Sequence, residues 1–278
     1  MASLLNERTD PLYQKDGQLH KHTSTLTSIH PLSSLPPDTQ LLFKPPPDTT
    51  PYILTTPSTI FHAQGGGQPS DTGTITTTHP NNPTFHVHQV RKADPAILHM
   101  GLFEPPTSSP FPITQGQDII QEIDVEKRRL HSRIHTAGHV LGLAINLLKN
   151  APSPVLPPDL TDGKASHYPN ASFVEFSGLI PGSAKEAIQD KVDELVSQDL
   201  PVSILFWDEE RARRECTGVT DVVKGDADGV RVVSIGEVGS YPCGGTHVGR
   251  LGECGRVVVR GVKRQKGVSK VGYEVHDV

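Results

Sequence analysis

The sequence predicts an α+β protein in two parts. A small antiparallel β-barrel comes first, followed by an α+β domain with a mainly antiparallel sheet and packed helices. Three observations lead there. Residues 1 to about 110 are rich in Thr, Pro, His and Gly, with short apolar runs between turn signals. The composition then shifts, and a long helix-compatible pattern begins after Gln117. Beyond it the order is helix, strand, helix, strands, the signature of an α+β sheet domain. The expected domains are 1–115 and 116–278.

In the first part, PYILTT (51–56), GTITTT (73–78) and FHVHQV (85–90) favour β structure, and the alternation in FHVHQV fits a half-buried strand. The segments PLSSLPPDTQLLFKPPPDTTP and LFEPPTSSPFP read as polar surface loops. In the second part, Ile123, Leu130, Ile134, Val140, Leu141 and Leu148 predict a helix over about 124–149, ended by the Pro-rich APSPVLPPDL. SFVEFSG reads as a strand. SAKEAIQDKVDELVSQDL spaces Ile188, Val192 and Leu195 as an amphipathic helix, with Ser183 as the expected N-cap. VSILFWD, VRVVSIG and RVVVRGVKR read as strands.

The 278 residues suffice for two domains with proper cores. With 26 Lys and Arg against 31 Asp and Glu the net charge is −5, so any nucleic-acid surface must be a local patch. Three cysteines do not make a disulfide scaffold and fit a reducing compartment. The polar N-terminus has no apolar signal region, and no apolar run reaches the length of a membrane span. The expectation is a soluble cytoplasmic protein.

Two short clusters carry metal-ligand chemistry. RIHTAGHVL holds His135 and His139 at i and i+4, on one face of the predicted helix. Roughly 100 residues later, PCGGTHV holds Cys243 and His247 around two glycines, which give the backbone freedom to converge the pair. Three imidazoles and one thiolate suit zinc. Thr136 follows the first histidine where a zinc peptidase has glutamate, which excludes that class. Four protein ligands would make a structural site, and three with a water would make a catalytic one. A third motif, FHAQGGGQPSDTG (61–73), fails as a phosphate loop because no Lys-Ser or Lys-Thr follows. Its glycines allow close backbone approach to a ligand, and the Gln68 amide offers both a donor and an acceptor.

These motifs, in this order, resemble the editing domain of alanyl-tRNA synthetases and the free-standing AlaX trans-editing proteins of medium length. LYQKDGQL, TIFHAQGGGQPSDTG, RRLHSRIHTAGHVL, HYPNASFVEFSG, RVVSIGEVGSYPCGGTHV and the KGVSKVGYEV tail carry the resemblance along most of the chain. It implies an N-terminal β-barrel joined to an α+β editing domain, and zinc held by His135, His139, Cys243 and His247. It also implies hydrolysis of wrongly made Ser-tRNA(Ala), and of Gly-tRNA(Ala) as a further substrate. Gly65, Gly66, Gly67 and Gln68 would line the amino-acid pocket. The lead-in Phe61-His62-Ala63-Gln64 departs from the family, which usually has an acidic residue at the last position. Nothing resembles an ATP-binding aminoacylation core, so no ligase activity and no nucleotide cofactor are expected.

Ester hydrolysis needs a nucleophile and charge stabilisation, both of which a zinc site can supply. Thr136 is a candidate for positioning water, and Gln68 is a second catalytic candidate. Thr59 joins Gln68 as a candidate for sensing the serine hydroxyl, since polar groups left unpaired by alanine would discriminate strongly. A tRNA partner needs phosphate contacts. Arg128, Arg129 and Arg133 form one basic group, with Lys127. Lys263, Arg264 and Lys266 form another, beside Arg256, Arg260 and Lys270, with no acidic residue from 255 to 273. Two other readings stand beside the deacylase: a tRNA-binding module with a structural zinc, and a deacylase of Ser-tRNA(Thr).

Overall fold

The chain divides into two units, Met1–Gly65 with Pro69–Arg128, and Gly66–Gln68 with Arg129–Val278. The structure is a computed structural model, and it describes residues 5–77, 83–106, 113–217, 225–226 and 228–277. The end of GTITTT at Thr78 and residues 107–112 of LFEPPTSSPFP lie outside the described residues.

The first unit holds β1 (Asp10–Pro11), β2 (Lys21–Thr25), β3 (Ser28–Pro31), α1 (Pro37–Gln40), β4 (Tyr52–Thr55), β5 (Ser58–Thr59), β6 (Gly73–Thr77), β7 (Thr84–Ala93), β8 (Ala96–Glu104) and β9 (Asp118–Ile123). Seven of these form one antiparallel sheet in the order β2-β9-β6-β7-β8-β4-β3, while β1 and β5 make a short parallel pair. The sheet is open, which corrects the closed barrel expected from the sequence. No ladder joins β2 to β3 among the described residues, because the chain runs from one edge to the other through Leu26 and Thr27. The N–H of Leu26 bonds to Gln117 O on one side, and that of Thr27 to Thr55 O on the other.

The alternation in FHVHQV does place Phe85 and Val87 in the interior, but Val90 follows them at an odd spacing. A bulge between Val87 and Gln89 restores Val90 to the core side, since one extra residue flips strand parity. Leu26, Ile60, Phe61, Ile75, Phe85 and Ile119 pack with them. The segment expected to be a polar surface loop does more than cover the surface. Its Leu32, Leu35 and Phe43 pack with Ile53, Leu98 and Met100 as a satellite core.

A buried polar centre crosses the sheet of this unit. His99 is fully buried, with Nδ1 3.1 Å from Leu54 O and Nε2 2.7 Å from the Thr59 hydroxyl. Burial pushes its pKa down to about 4, partly opposed by the Leu54 carbonyl. The unfolded chain therefore binds this proton near pH 6.5 and the folded one does not. The resulting stabilisation is full above pH 6.5 and lost as pH falls towards 4, about 3 kcal/mol in all. Urea unfolding at pH 7 and pH 4.5 should show His99→Gln with a flatter pH dependence than wild type. Equal slopes for the two proteins would contradict this assignment.

The second unit contains most of α2 (Val125–Lys149), then β10 (Thr161–Ser166), β11 (Phe173–Ser177), α3 (Lys185–Ser197), β12 (Val202–Trp207), α4 (Glu209–Glu215), β13 (Val230–Ile235), β14 (Gly239–Pro242), β15 (Arg256–Gln265) and β16 (Val268–His276). Two antiparallel sheets form, in the orders β10-β11-β16-β15 and β12-β13-β14. Ile134, Val140, Leu141 and Ala144 of α2 share a core with Ile188, Val192 and Leu195 of α3 and with Val174, Phe176, Val259, Val271 and Tyr273 of the first sheet. Ser183 does not cap α3. It sits in a short 3-10 turn, Gly182–Ala184, and Ala184 takes the cap position without a side-chain bond. Lys266 and Gly267, with φ of 50° and 79°, form the two-residue turn between β15 and β16.

Candidate metal centre

Helix α2 presents His135 and His139 one turn apart, and the loop after β14 presents Cys243 and His247. Their candidate ligand atoms all lie within 4.8 Å of one another. Cys243 Sγ is 3.4 Å from His135 Nε2 and 3.3 Å from His247 Nε2. A tetrahedral ion with bonds of about 2.0–2.3 Å would separate its donor atoms by roughly 3.3–3.8 Å, so both contacts match edges of such a tetrahedron. His139 adds a buried Nδ1 that no hydrogen bond satisfies among the described residues. The donor set and its spacing fit a single ion.

The rings are aimed from behind. Gln68 Oε1 accepts from His135 Nδ1 at 2.7 Å and from the Thr246 N–H at 3.0 Å. The Gln68 amino group donates to Thr246 Oγ1 at 2.8 Å, and that hydroxyl meets Ser132 Oγ at 2.8 Å. With the proton of His135 held on Nδ1, its Nε2 lone pair faces the cluster. Thr136 Oγ1 does the same for His247 Nδ1 at 3.1 Å and accepts the Val248 N–H at 3.3 Å. Gln68 and Thr136 are both fully buried.

Two glycines make the approach possible. A Cβ on Gly245 would lie 2.3 Å from His135 Cε1, and one on Gly67 would lie 2.5 Å from Ala165 O, with Gly67 already at φ 79°. The Arg231 guanidinium donates to Cys243 O and the Cys243 N–H returns to Arg231 O, which ties the loop to β13.

Burial holds His139 down to about 3, with His167 and Arg231 adding to the effect, so its imidazole is neutral and able to bind metal. Burial pushes the Cys243 thiol up, against the Gly245 N–H and Arg231, so metal binding there must release a proton.

Sequence reasoning missed His167. Its ring stacks on His135 with centroids 4.1 Å apart and planes at 21°. Its Nδ1 donates to the Tyr273 hydroxyl at 2.6 Å, which itself donates to Ile134 O at 2.9 Å. Burial lowers the His167 pKa to about 4. The histidine of HYPNASF was visible, but no spacing linked it to the two clusters.

The remaining expected site residues are dispersed. Gly66 and Gly67 belong with Gln68 to the second unit, whereas Gly65 and Thr59 belong to the first. Thr59 is fully buried against His99. Arg128 is 2 % exposed and bonded to Asp71, Gly17 O and Ile60 O. Arg133 bonds to Cys254 O, His276 O and Asp277. Arg129, Lys263, Arg264 and Lys266 are exposed.

A candidate metal centre of three histidines and a cysteine, set in an α+β fold with antiparallel sheets, defines the class of protein. Residues 230–271 match the family model described as the threonyl and alanyl tRNA synthetase second additional domain. The alanyl-tRNA editing protein AlaX-M of Methanosarcina barkeri is 31% identical over 209 residues, covering 74% of this chain and 79% of that protein. AlaX-L of Pyrococcus horikoshii is 28% identical over 219 residues, 77% of this chain and 49% of that one. An alanine–tRNA ligase of Methanosphaera stadtmanae is 30% identical over 228 residues, 79% of this chain and 24% of the ligase. The chain belongs to the AlaX family of alanyl-tRNA editing proteins. It spans about half the length of the AlaX-L relative and about a quarter of the ligase. No helix among the described residues is long and apolar enough to cross a membrane.

Proposed function

We propose that the chain is a zinc-dependent hydrolase that removes serine from mischarged Ser-tRNA(Ala), without aminoacylation activity. The observation that carries this reading is the convergence of His135, His139, Cys243 and His247 in a member of an editing family. Those four residues would hold the ion, and the thiolate with three imidazoles favours Zn2+. A bound zinc ion supplies Lewis-acid polarisation of an ester carbonyl and lowers the pKa of water. The protein's own part is orientation. Gln68 and Thr136 keep the Nε2 atoms of His135 and His247 turned inward, so they act as positioning residues. Ser132 and Thr246 support Gln68 in turn. Exposed Arg129, Lys263, Arg264 and Lys266 are among the cations that could meet tRNA phosphates.

Deacylation of Ser-, Gly- and Ala-tRNA(Ala) by zinc-loaded protein tests the reading. Serine should be released fastest, glycine more slowly and alanine least. Intact Ser-tRNA(Ala) would remove the hydrolase and leave a tRNA-binding module with structural zinc, a reading that four candidate protein ligands favour. The matched family model names threonyl as well as alanyl synthetases, so Ser-tRNA(Thr) belongs in the same assay.

A further inference from the structure

The outer face of the sheet formed by β11, β16 and β15 carries a hollow of about 600 Å³, lined by Phe173, Arg260, Gly261, Lys263, Lys270 and Gly272 among others. Its depth comes from two glycines. Gly261 lies directly opposite Gly272, and Gly272 opposite Phe173, so bare backbone forms the floor. A Cβ on Gly261 would meet no atom within 4 Å. The next residue, Tyr273, points to the other side of the sheet and is fully buried, where its hydroxyl holds His167.

The rim is cationic by construction. A bulge between Val259 and Gly261 sets Arg260 outside the regular ladder. Its Nη2 donates to Ser172 O at 3.0 Å, and the guanidinium arches over Gly272. Lys263 stands directly across from Lys270 on the same face. Like charges so placed repel each other, and an anion between them would relieve that repulsion. Lys270 is anchored 3.8 Å above the Phe173 ring and 3.0 Å from Glu175. Three cations thus line a hollow with a flat backbone floor, and Lys270 among them pairs with Glu175.

We propose that this hollow binds phosphodiester groups of an RNA strand and is a docking point for the tRNA body, separate from the metal cluster. It rests on the proposed tRNA substrate and extends it to a defined contact surface. Arg260, Lys263 and Lys270 neutralise backbone phosphates, and the Gly261–Gly272 floor admits the strand closely. Contacts of this kind set affinity and register and read no base.

The test is binding of uncharged tRNA(Ala) across salt concentrations by wild type, Gly261→Leu and Lys263→Ala. Gly261→Leu fills the hollow without changing charge and should weaken binding about tenfold. Lys263→Ala should weaken it severalfold and make the salt dependence shallower by roughly 0.7–0.9 in logarithmic slope. Variants with wild-type affinity and slope would overturn the proposal while leaving the hydrolase reading intact. Wild-type protein that binds tRNA through this surface but leaves Ser-tRNA(Ala) intact would do the reverse. If Gly261→Leu abolishes binding of free adenosine monophosphate and leaves tRNA binding unaltered, the hollow is a free-nucleotide site and the proposal fails.

Discussion

Replacing Cys243 with alanine is expected to remove tightly held zinc and to reduce Ser-tRNA(Ala) deacylation by more than about 100-fold. Cys243 supplies the cluster's only sulfur, and it contacts His135 Nε2 and His247 Nε2 at 3.4 and 3.3 Å. Without it, three imidazoles face one another with no anionic ligand to offset the ion's charge. Loss of a partner behind a ligand costs about 10–100-fold in metal affinity or activity, and loss of a ligand should exceed that. Gln68→Leu provides the comparison in the same experiment. It leaves the four candidate ligands in place but removes the bonds of Gln68 to His135 Nδ1 and the Thr246 N–H, so zinc should bind about 10–100-fold more weakly. Metal content and the sulfur-to-cobalt absorption of Co2+-substituted protein read both variants. A Cys243→Ala protein with full zinc content and full activity would exclude this cluster as the centre.

The second large effect concerns stability. Asp71→Asn should destabilise the first unit by about 3–5 kcal/mol, because it leaves a buried guanidinium without its counter-charge. Arg128 and Asp71 are 2 % and 1 % exposed. The Asp71 carboxylate takes Arg128 Nε at 3.1 Å on both oxygens and accepts the His62 N–H at 2.6 Å. Arg128 also donates to Gly17 O at 2.8 Å and Ile60 O at 2.6 Å. The pair therefore joins four separate chain segments. Replacing both partners together, as Asp71→Leu with Arg128→Met, should recover much of the loss, since well-packed apolar groups leave no orphaned charge. Urea unfolding of the single and double variants measures the coupling. A single-variant cost below 1 kcal/mol would mean that water reaches the pair.

Periodicity located α2 and α3, and apolar runs located β11, β12, β13 and β15. In α2 the apolar spacing ends at the Pro-rich 151–158 segment, and the helix stops at Lys149. β10, β14 and β16 were not read as strands, and β16 escaped although it alternates. β10, TDGKAS, pairs with β11 but is largely polar and partly exposed, so nothing in its pattern distinguishes it from a loop. The bulges at Val87–Gln89 and Val259–Gly261 were likewise invisible, because a bulge is a property of two strands in register. The helix cap at Ser183 failed because a 3-10 turn absorbed that residue.

The sequence by itself determined the donor set of the candidate metal centre. Two His on one helical face and a Cys–His pair around glycines are local patterns, dictated by helix pitch and backbone freedom, and folding brought all four together. Tertiary structure alone decided what surrounds them. Gln68 is 67 residues from His135 and 178 from Thr246, yet its amide fixes both, and the residues flanking its short segment belong to the other unit. His167 reached His135 through contacts remote in sequence, its backbone N–H on Gly67 O and its ring on the Tyr273 hydroxyl of β16. Among basic residues that look alike in sequence, Arg128 went to a buried carboxylate and Lys263 to an open hollow. Charge is written in the chain, but whether a charge is neutralised inside or left for a partner depends on long-range neighbours, which no local pattern encodes.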